Sequence, residues 1–208
     1  MSDFISVYGF EILGTVSSLI YLFYSIREKV WCWPWGIAAS IVSIYVFFNA
    51  GLYADMGLQF YYLFISIYGW YFWLHGTKAG NDKGAVISRT SVKQWVILAL
   101  SGIVIYFVLL AGLLFLPAYL QINSSSMPFL DAFTTAASII ATWMLARKLI
   151  EHWMIWIIVD TVSAGMYIYK GIYFYSFLFV VYTVGAVMGY ISWSKSLSAG
   201  NSGGQSAG

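Results

Sequence analysis

The sequence predicts an all-α integral membrane protein whose seven transmembrane helices form two similar halves. Three observations lead to this fold class: the composition, a series of seven apolar segments, and an internal repeat. Of the 208 residues, 61% are hydrophobic and only 9% are charged, whereas a soluble domain carries about 25% charged residues. A lipid bilayer is the solvent that suits such a composition.

Seven segments qualify as membrane spans, because a helix crosses the hydrocarbon core with about 20 mostly apolar residues. They lie at about residues 5–26, 33–50, 55–76, 94–116, 129–147, 153–169 and 172–194. The Gly- and Ser-rich residues 197–208 predict a flexible tail or an expression remnant. We therefore expect a single membrane domain over residues 1–196.

The Lys and Arg residues divide unevenly between the two sides of these spans. Of the 10 such residues, all but Lys170 fall on one side. Since Lys and Arg are enriched in cytoplasmic loops, the N-terminus is predicted outside and the C-terminus in the cytoplasm. The net charge of only +2 gives no indication of a nucleic-acid partner.

The two halves of the chain resemble each other at a spacing of 120 residues. Chance matches are common in so biased a composition, but several of these matches are Trp, Gly and Tyr at fixed places. They include Thr15 with Thr135, Arg27 with Arg147, Trp33 with Trp153, Gly51 with Gly171, Tyr62 with Tyr182, Gly69 with Gly189, and Trp73 with Trp193.

This spacing predicts a 3+1+3 order of helices. Repeat one covers about residues 5–76, a linker helix about 94–116, and repeat two about 129–194. The unpaired linker gives both triplets the same orientation, which makes a parallel repeat with its axis along the membrane normal. Such repeats are typical of transporters. The alternative is that duplication only produced a stable bundle.

Asp160 lies near the middle of the sixth span, where a charged side chain is costly unless it faces a cavity or a partner. Helical spacing places Trp156, Ser163 and Tyr167 on the same face. A carboxylate flanked by aromatic rings suits a flat organic cation, through Coulomb attraction and cation–π contact. The alternative is a structural Asp that is protonated or paired.

The third span has a comparable face with Gln59, Tyr62 and Ser66. The Gln59 amide offers both donors and an acceptor, which suits a ligand with amide or hydroxyl groups. Tyr62 offers a stacking surface. The alternative for Gln59 is a hydrogen bond that joins two helices.

Other positions allow two interpretations. Asp131, near the outer end of the fifth span, either lines an outer vestibule or caps and anchors its helix. Trp143 either stacks on a ligand or anchors its helix at the interface. The aromatic clusters near residues 31–35, 68–73 and 153–156 lie at span ends, where belts of Trp and Tyr gather.

Motifs of enzymes and ATPases are absent from the sequence. It has no GxxxxGK[ST] loop for nucleotide phosphates and no GxSxG elbow for a nucleophile. Cys32 is the single cysteine, and His75 and His152 have no carboxylate at metal-ligand spacing. We therefore expect no catalysis, no metal and no other cofactor.

Strings of residues in both halves resemble the PnuC family of vitamin transporters. The first half carries GLYADMGLQ at residues 51–59 and YGWYFW at residues 68–73. The second half carries LARK at residues 145–148, EHW at 151–153 and YKGIY at 169–173. The resemblance covers nearly all of residues 5–195.

The resemblance implies a 3+1+3 fold with SWEET-like parallel halves in the bacterial inner membrane. It also implies uptake of an unphosphorylated vitamin, which is nicotinamide riboside, thiamine or riboflavin depending on the branch. Entry is by facilitated diffusion, and a cytoplasmic kinase or pyrophosphokinase then traps the vitamin as a phosphate ester. Some members are homo-oligomers.

The resemblance also bears on the substrate. In the nicotinamide riboside branch, Asn occupies mid-helix positions that correspond here to Ala39 and Asp160, and a Gln corresponds to Gln59. An Asp in place of Asn suits a partner with hydrogen-bond donors or a positive charge. Thiamine is therefore favoured, with nicotinamide riboside as the alternative.

The resulting hypothesis is a facilitator in which two triplets rock around a midplane site. Gly51 and Gly171 are hinge candidates, unless they only make tight turns. The predicted substrate-binding residues are Asp160, Gln59, Tyr62, Trp143, Trp156, Tyr167 and Asp131. A competing hypothesis is a vitamin-binding subunit that needs an ATPase partner.

Overall fold

The computed structural model describes residues 2–49, 53–76, 84–120 and 125–205. In these ranges the chain forms seven α-helices, which confirms the all-α fold class and follows the predicted spans closely. They are α1 Ser2–Ile26, α2 Cys32–Asn49, α3 Tyr53–His75, α4 Val92–Leu120, α5 Pro128–Ala146, α6 His152–Tyr169 and α7 Tyr173–Gln205.

The end of α7 corrects one expectation. The helix continues to Gln205, well beyond the predicted end near residue 194, while the flexible tail or expression remnant over residues 197–208 stays a prediction. Serine is accommodated there because its hydroxyl bonds within the helix: Ser198 Oγ donates to Ser194 O at 3.0 Å. Residues 206–208 lie outside the described ranges.

Four of the described helices, α2, α4, α5 and α7, are long and apolar enough to cross a membrane. A shorter apolar stretch covers Ile12–Ile26 of α1. The sequences of α3 and α6 are less apolar because they carry Tyr and Trp together with polar residues such as Gln59 and Asp160. The prediction of seven spans is therefore supported for these four helices and stays a prediction for the others.

The chain divides into two compact units. The first contains α1, α2 and α3 together with Leu145–Lys148 and the part of α7 from Ile191, and the second contains Ser88–Met144 and Leu149–Tyr190. In the first unit α2 packs against both α1 and α3. The units differ from the predicted repeats because the last residues of α5 and α7 belong to the first unit.

The helix bounds recur at a spacing of 120 residues, as the sequence pattern suggests. The ends of α1 and α5 are Ile26 and Ala146, and the starts of α2 and α6 are Cys32 and His152. The starts of α3 and α7 recur in the same way. The same local structure is therefore built twice along the chain.

The turns that end α1 and α5 also share one backbone conformation. Glu28 (φ 56°) and Lys148 (φ 54°) both adopt the left-handed region, which commonly closes a helix C-terminus. Lys29 N donates to Tyr24 O at 2.9 Å after α1, and the equivalent bond after α5 has the same length. This turn therefore sets the direction in which α2 and α6 leave the preceding helix.

A glycine on each third helix of a repeat makes room for an indole. A Cβ on Gly189 would lie 2.5 Å from Trp153 Cε2, and a Cβ on Gly69 would collide with Trp33 in the same way. Trp33 is fully buried and Trp153 is 2% exposed. Interfacial belts were expected for these two indoles, and that expectation is wrong because each fills the notch that a glycine leaves.

Candidate substrate site

Asp160 is the buried acid in the middle of α6. It is 4% exposed, with buried Ser163 and half-buried Trp156 on the same helix face. Its carboxylate forms no hydrogen bond or ion pair with the residues that the structure describes. Because an unpaired charge is costly away from water, this carboxylate is either protonated or neutralised by a cation that does not belong to the described chain.

Tyr167 lies two turns beyond Asp160 on α6 and already stacks on rings of its own chain. Its ring centroid is 5.3 Å from that of Phe179, with an angle of 16° between the planes, and 5.5 Å from that of Tyr175. Both partners are on α7. Tyr167 therefore joins α6 to α7 inside the second unit.

Gln59 and Tyr62 lie on a face of α3 that continues through Ser66 and Gly69 at three- and four-residue spacing. This face is turned towards α2, since Gly69 abuts Trp33 and Ser66 Oγ would lie 3.1 Å from a Cβ on Gly36. Both side chains are half-buried.

Gln59 and Tyr62 on this face differ in the contacts that their side chains make. The Gln59 amide, which has two donors and an acceptor, makes no hydrogen bond with the described residues. The Tyr62 ring packs edge-on against Tyr61 at 5.6 Å.

Ser40, rather than Ala39, is the counterpart of Asp160. With α2 and α6 beginning at Cys32 and His152, residue 160 corresponds to residue 40. Ser40 and Asp160 are both 4% exposed. The polar mid-helix position is therefore present in both halves, as a hydroxyl in α2 and a carboxylate in α6. The 120-residue spacing of the sequence already carried this signal.

Asp131 is engaged by neighbouring side chains at the start of α5. One carboxylate oxygen lies 3.8 Å from Lys170 Nζ, and each of these side chains is 29% exposed. The other oxygen accepts a hydrogen bond from Ser125 Oγ, which also accepts one from Met127 N. These contacts agree with an anchor for the helix.

Trp143 packs in an apolar environment. It lies against a buried cluster formed by Leu98, Met144 and Leu149, together with half-buried Ile140 and Ile155. The cluster joins α4 to the end of α5 in the second unit. This position favours packing between helices over contact with a polar ligand.

The two hinge candidates have different outcomes. Gly51 lies outside the described residues. Gly171 follows α6 with a φ of 73°, and Ile172 N donates to Tyr167 O at 2.9 Å. This geometry closes a helix in a tight turn, which agrees with the alternative interpretation of that glycine.

Comparison with known proteins identifies the family of this chain. The family model described as "Nicotinamide mononucleotide transporter" matches residues 8–195. The chain belongs to this family, the PnuC family. It is a family of membrane transporters for vitamins, which confirms the assignment made from the sequence strings.

Two curated relatives illustrate the range of substrates. The riboflavin/roseoflavin transporter RibM of Streptomyces davaonensis is 28% identical over 184 residues, which cover 88% of this chain and 83% of RibM. The nicotinamide riboside transporter PnuC of Escherichia coli is 24% identical over 203 residues, covering 89% of this chain and 85% of that protein. Thiamine is not the named substrate of either protein.

The fold has a solved counterpart. A crystal structure of a vitamin B3 transporter PnuC superimposes with a TM-score of 0.65 and 20% sequence identity, covering 90% of this chain and 81% of that one. At this identity the likeness bears on the fold alone. It is nevertheless a likeness over nearly the whole chain.

Proposed function

We propose that this protein carries nicotinamide riboside across the bacterial inner membrane by facilitated diffusion. The observation that carries the proposal is Asp160, a carboxylate that is buried in α6 and has no partner among the described residues. The pyridinium ring of nicotinamide riboside is a flat cation, so it would neutralise this carboxylate and stack on aromatic rings. Its ribose hydroxyls and amide need hydrogen-bond partners, which Gln59 offers.

The same carboxylate argues against two other substrates. A mononucleotide carries a phosphate, which an ionised Asp160 would repel, and among the described residues the buried cation is Lys148, in the turn after α5 rather than in mid-helix. Riboflavin is neutral and would offer no counter-charge to an ionised Asp160. Thiamine is also a cation, but the named substrates of the relatives favour the riboside.

The contacts divide the predicted binding residues into two groups, those proposed to contact the substrate and those that hold helices together. In the second unit we propose Asp160 as the counter-charge and Trp156 as a stacking surface. In the first unit we propose Gln59 as a hydrogen-bonding group and Tyr62 as a stacking surface, with Ser40 as an additional polar group. Asp131, Trp143 and Tyr167 instead hold helices in place, because each is engaged by its own chain.

The architecture that we propose for transport is the 3+1+3 parallel repeat, with the N-terminus outside and the C-terminus in the cytoplasm. Its support is the recurrence at 120 residues of helix bounds, of the turn at Glu28 and Lys148, and of the glycine notches. Rocking of the two triplets around the site would expose it to each side in turn. A cytoplasmic kinase would then trap the vitamin.

Calorimetry on the purified protein tests the substrate and the counter-charge together. We expect nicotinamide riboside to bind to wild type and Asp160→Asn to weaken binding about tenfold or more, since hydrogen bonds to charged groups contribute about 1.5–3 kcal/mol. Asp131→Asn is the matched control, and its affinity should stay within about twofold of wild type. Equal affinities for wild type and Asp160→Asn would remove Asp160 from the site, and preferential binding of thiamine would reverse the substrate assignment.

Liposomes that contain only this chain distinguish a facilitator from a binding subunit. A facilitator equilibrates labelled nicotinamide riboside across the membrane without ATP. If the vitamin binds but does not enter, an ATPase partner is required and facilitated diffusion is wrong.

A further inference from the structure

Two Trp side chains of the first unit donate hydrogen bonds to helix ends from the opposite half of the sequence. Trp73 Nε1 in α3 donates to Leu145 O at 3.3 Å, and Trp193 Nε1 in α7 donates to Ser25 O at 3.0 Å. The two donors are 120 residues apart, and so are the two acceptors. Each contact is thus the repeat copy of the other, and we call Trp73 and Trp193 with these acceptors the crossed indole pair.

The two indoles of this pair are buried and lie close to each other. Trp73 is 5% exposed and Trp193 is fully buried, and their ring centroids are 6.0 Å apart. The ring of fully buried Trp33 meets Trp73 edge-on at 5.4 Å. Basic residues follow both acceptors in the sequence, so this is the end of the helices that is predicted to face the cytoplasm. The three indoles form a buried aromatic cluster at that end.

The hydrogen bonds of the pair can break without leaving a carbonyl unpaired. Ser25 O also accepts from Glu28 N at 3.1 Å, and Leu145 O also accepts from Lys148 N at 2.9 Å. The turn that ends each helix therefore satisfies the carbonyl already, and the indole is a second donor. Losing such a bond costs far less than exposing a buried acceptor with no partner.

The glycine notches, in contrast to the crossed indole pair, join helices within one half of the sequence. Trp33 is wedged against Gly69 within the first half of the sequence, and Trp153 against Gly189 within the second half. Each notch therefore holds together helices of one half, whereas each bond of the crossed indole pair joins helices of different halves. Relative motion of the two sequence halves would break the second kind of contact and keep the first.

We propose that the crossed indole pair is the cytoplasmic gate of this transporter. Trp73 and Trp193 separate from Leu145 and Ser25 together when substrate passes to that side, and they close the path in the state described here. The inference rests on the transport function proposed above. The contacts of the crossed indole pair open during transport, and the glycine notches stay closed.

Cys32 is a built-in reporter of this opening. It is fully buried at the start of α2, next to Trp33 in the sequence, and it is the single cysteine of the chain. Trp73→Phe and Trp193→Phe keep an aromatic ring but remove the N–H donor. Each should speed maleimide labelling of Cys32 about fivefold, because a typical hydrogen bond contributes about that factor. Trp95→Phe, on an exposed position of α4, should leave the rate unchanged, and unchanged rates in the first two variants contradict the gate.

Cross-linking separates a gate from a permanent clamp. In a Cys32→Ser background, Ser25→Cys and Trp193→Cys are joined by a short bifunctional thiol reagent. A gate predicts that the cross-linked protein still binds nicotinamide riboside but carries it into liposomes only after the cross-link, made with a reducible reagent, has been cleaved. Continued transport by the cross-linked protein overturns the proposal. If wild type does not bind nicotinamide riboside in detergent, it is instead the proposed function that fails.

Discussion

Glu151 accepts two hydrogen bonds from Thr90 on a single carboxylate oxygen. Thr90 N lies 2.9 Å from Oε2 and Thr90 Oγ1 lies 2.7 Å from it. Beside them, Ile150 N donates to Ser88 O at 3.0 Å, and Ser88 forms an isolated parallel bridge with Leu149. The segment that leads into α4 is therefore fixed to the turn between α5 and α6.

Thr90→Val should lower the free energy of unfolding by about 1.5–3 kcal/mol, because it removes a hydrogen bond to a charged group. Thr90→Ser is the matched control and should lose much less, since it keeps the hydroxyl. Thermal unfolding in detergent measures both. Val and Ser variants that unfold at the same temperature would show that the hydroxyl bond contributes little.

Gly69→Ala and Gly189→Ala should each lower stability by about 1–3 kcal/mol, the usual cost of forcing an extra carbon into a filled space. The added Cβ would overlap a buried indole that is itself enclosed. Denaturant titration or thermal unfolding reports the change.

The control for these two variants is Gly165→Ala on α6. No atom lies within 4 Å of a Cβ added at Gly165, and alanine is a better helix former by up to about 1 kcal/mol. The control should therefore be neutral or stabilising. A notch variant as stable as Gly165→Ala would show that the indole moves away readily.

Lys170→Met should cost less than about 1 kcal/mol, since partly exposed ion pairs contribute little and are screened by salt. Asp131→Ala should cost more, because it also leaves Ser125 Oγ without its acceptor. Thermal unfolding at low and high salt distinguishes the two contributions. A tenfold loss of nicotinamide riboside affinity in Lys170→Met would instead place this pair in the substrate path.

Glu28→Gly should stabilise the protein by about 1 kcal/mol, because a left-handed backbone costs a residue with a side chain about 1–2 kcal/mol. Glu28 has a φ of 56°. The reverse change, Gly171→Ala at a φ of 73°, should destabilise by a similar amount. Opposite shifts of the unfolding temperature are expected, and shifts of the same sign would contradict the explanation.

Helix positions could be predicted from the sequence because a membrane span needs a long apolar segment, and because the repeat supplies each boundary twice. The end of α7 was missed for the same reason, since residues 197–205 are too rich in Gly and Ser to read as a span. Their serines bond to the helix backbone, an arrangement that composition does not reveal.

The roles of individual aromatic residues were harder to predict. Trp33, Trp73 and Trp153 all lie near span ends, where belts are common, yet all three are buried. Position along a helix indicates depth in the membrane, whereas burial depends on the neighbours. Gly69 and Gly189 make room for Trp33 and Trp153, and Trp73 packs against other indoles. Trp31 and Tyr71, at 62% and 65% exposure, agree with the belt interpretation.

Partners of polar residues could be predicted only in part. Asp160 stood out because acids are rare in mid-span, and its burial is confirmed. Asp131 forms an ion pair with Lys170, 39 positions later in the sequence, and a hydrogen bond with Ser125 in the connection before α5. Sequence spacing within one helix contains no information about such partners.

Ser40 and Asp160 occupy the same place in two copies of one helix, one neutral and one acidic. A duplicated scaffold of this kind allows its copies to specialise independently, with one preserving shape while the other acquires chemistry. If Asp160 is the counter-charge that we propose, a change of vitamin preference would require an exchange at one buried position and would leave the helices unchanged. Exchanging the two side chains, with serine at 160 and aspartate at 40, would move the acidic group from α6 to the same position in α2.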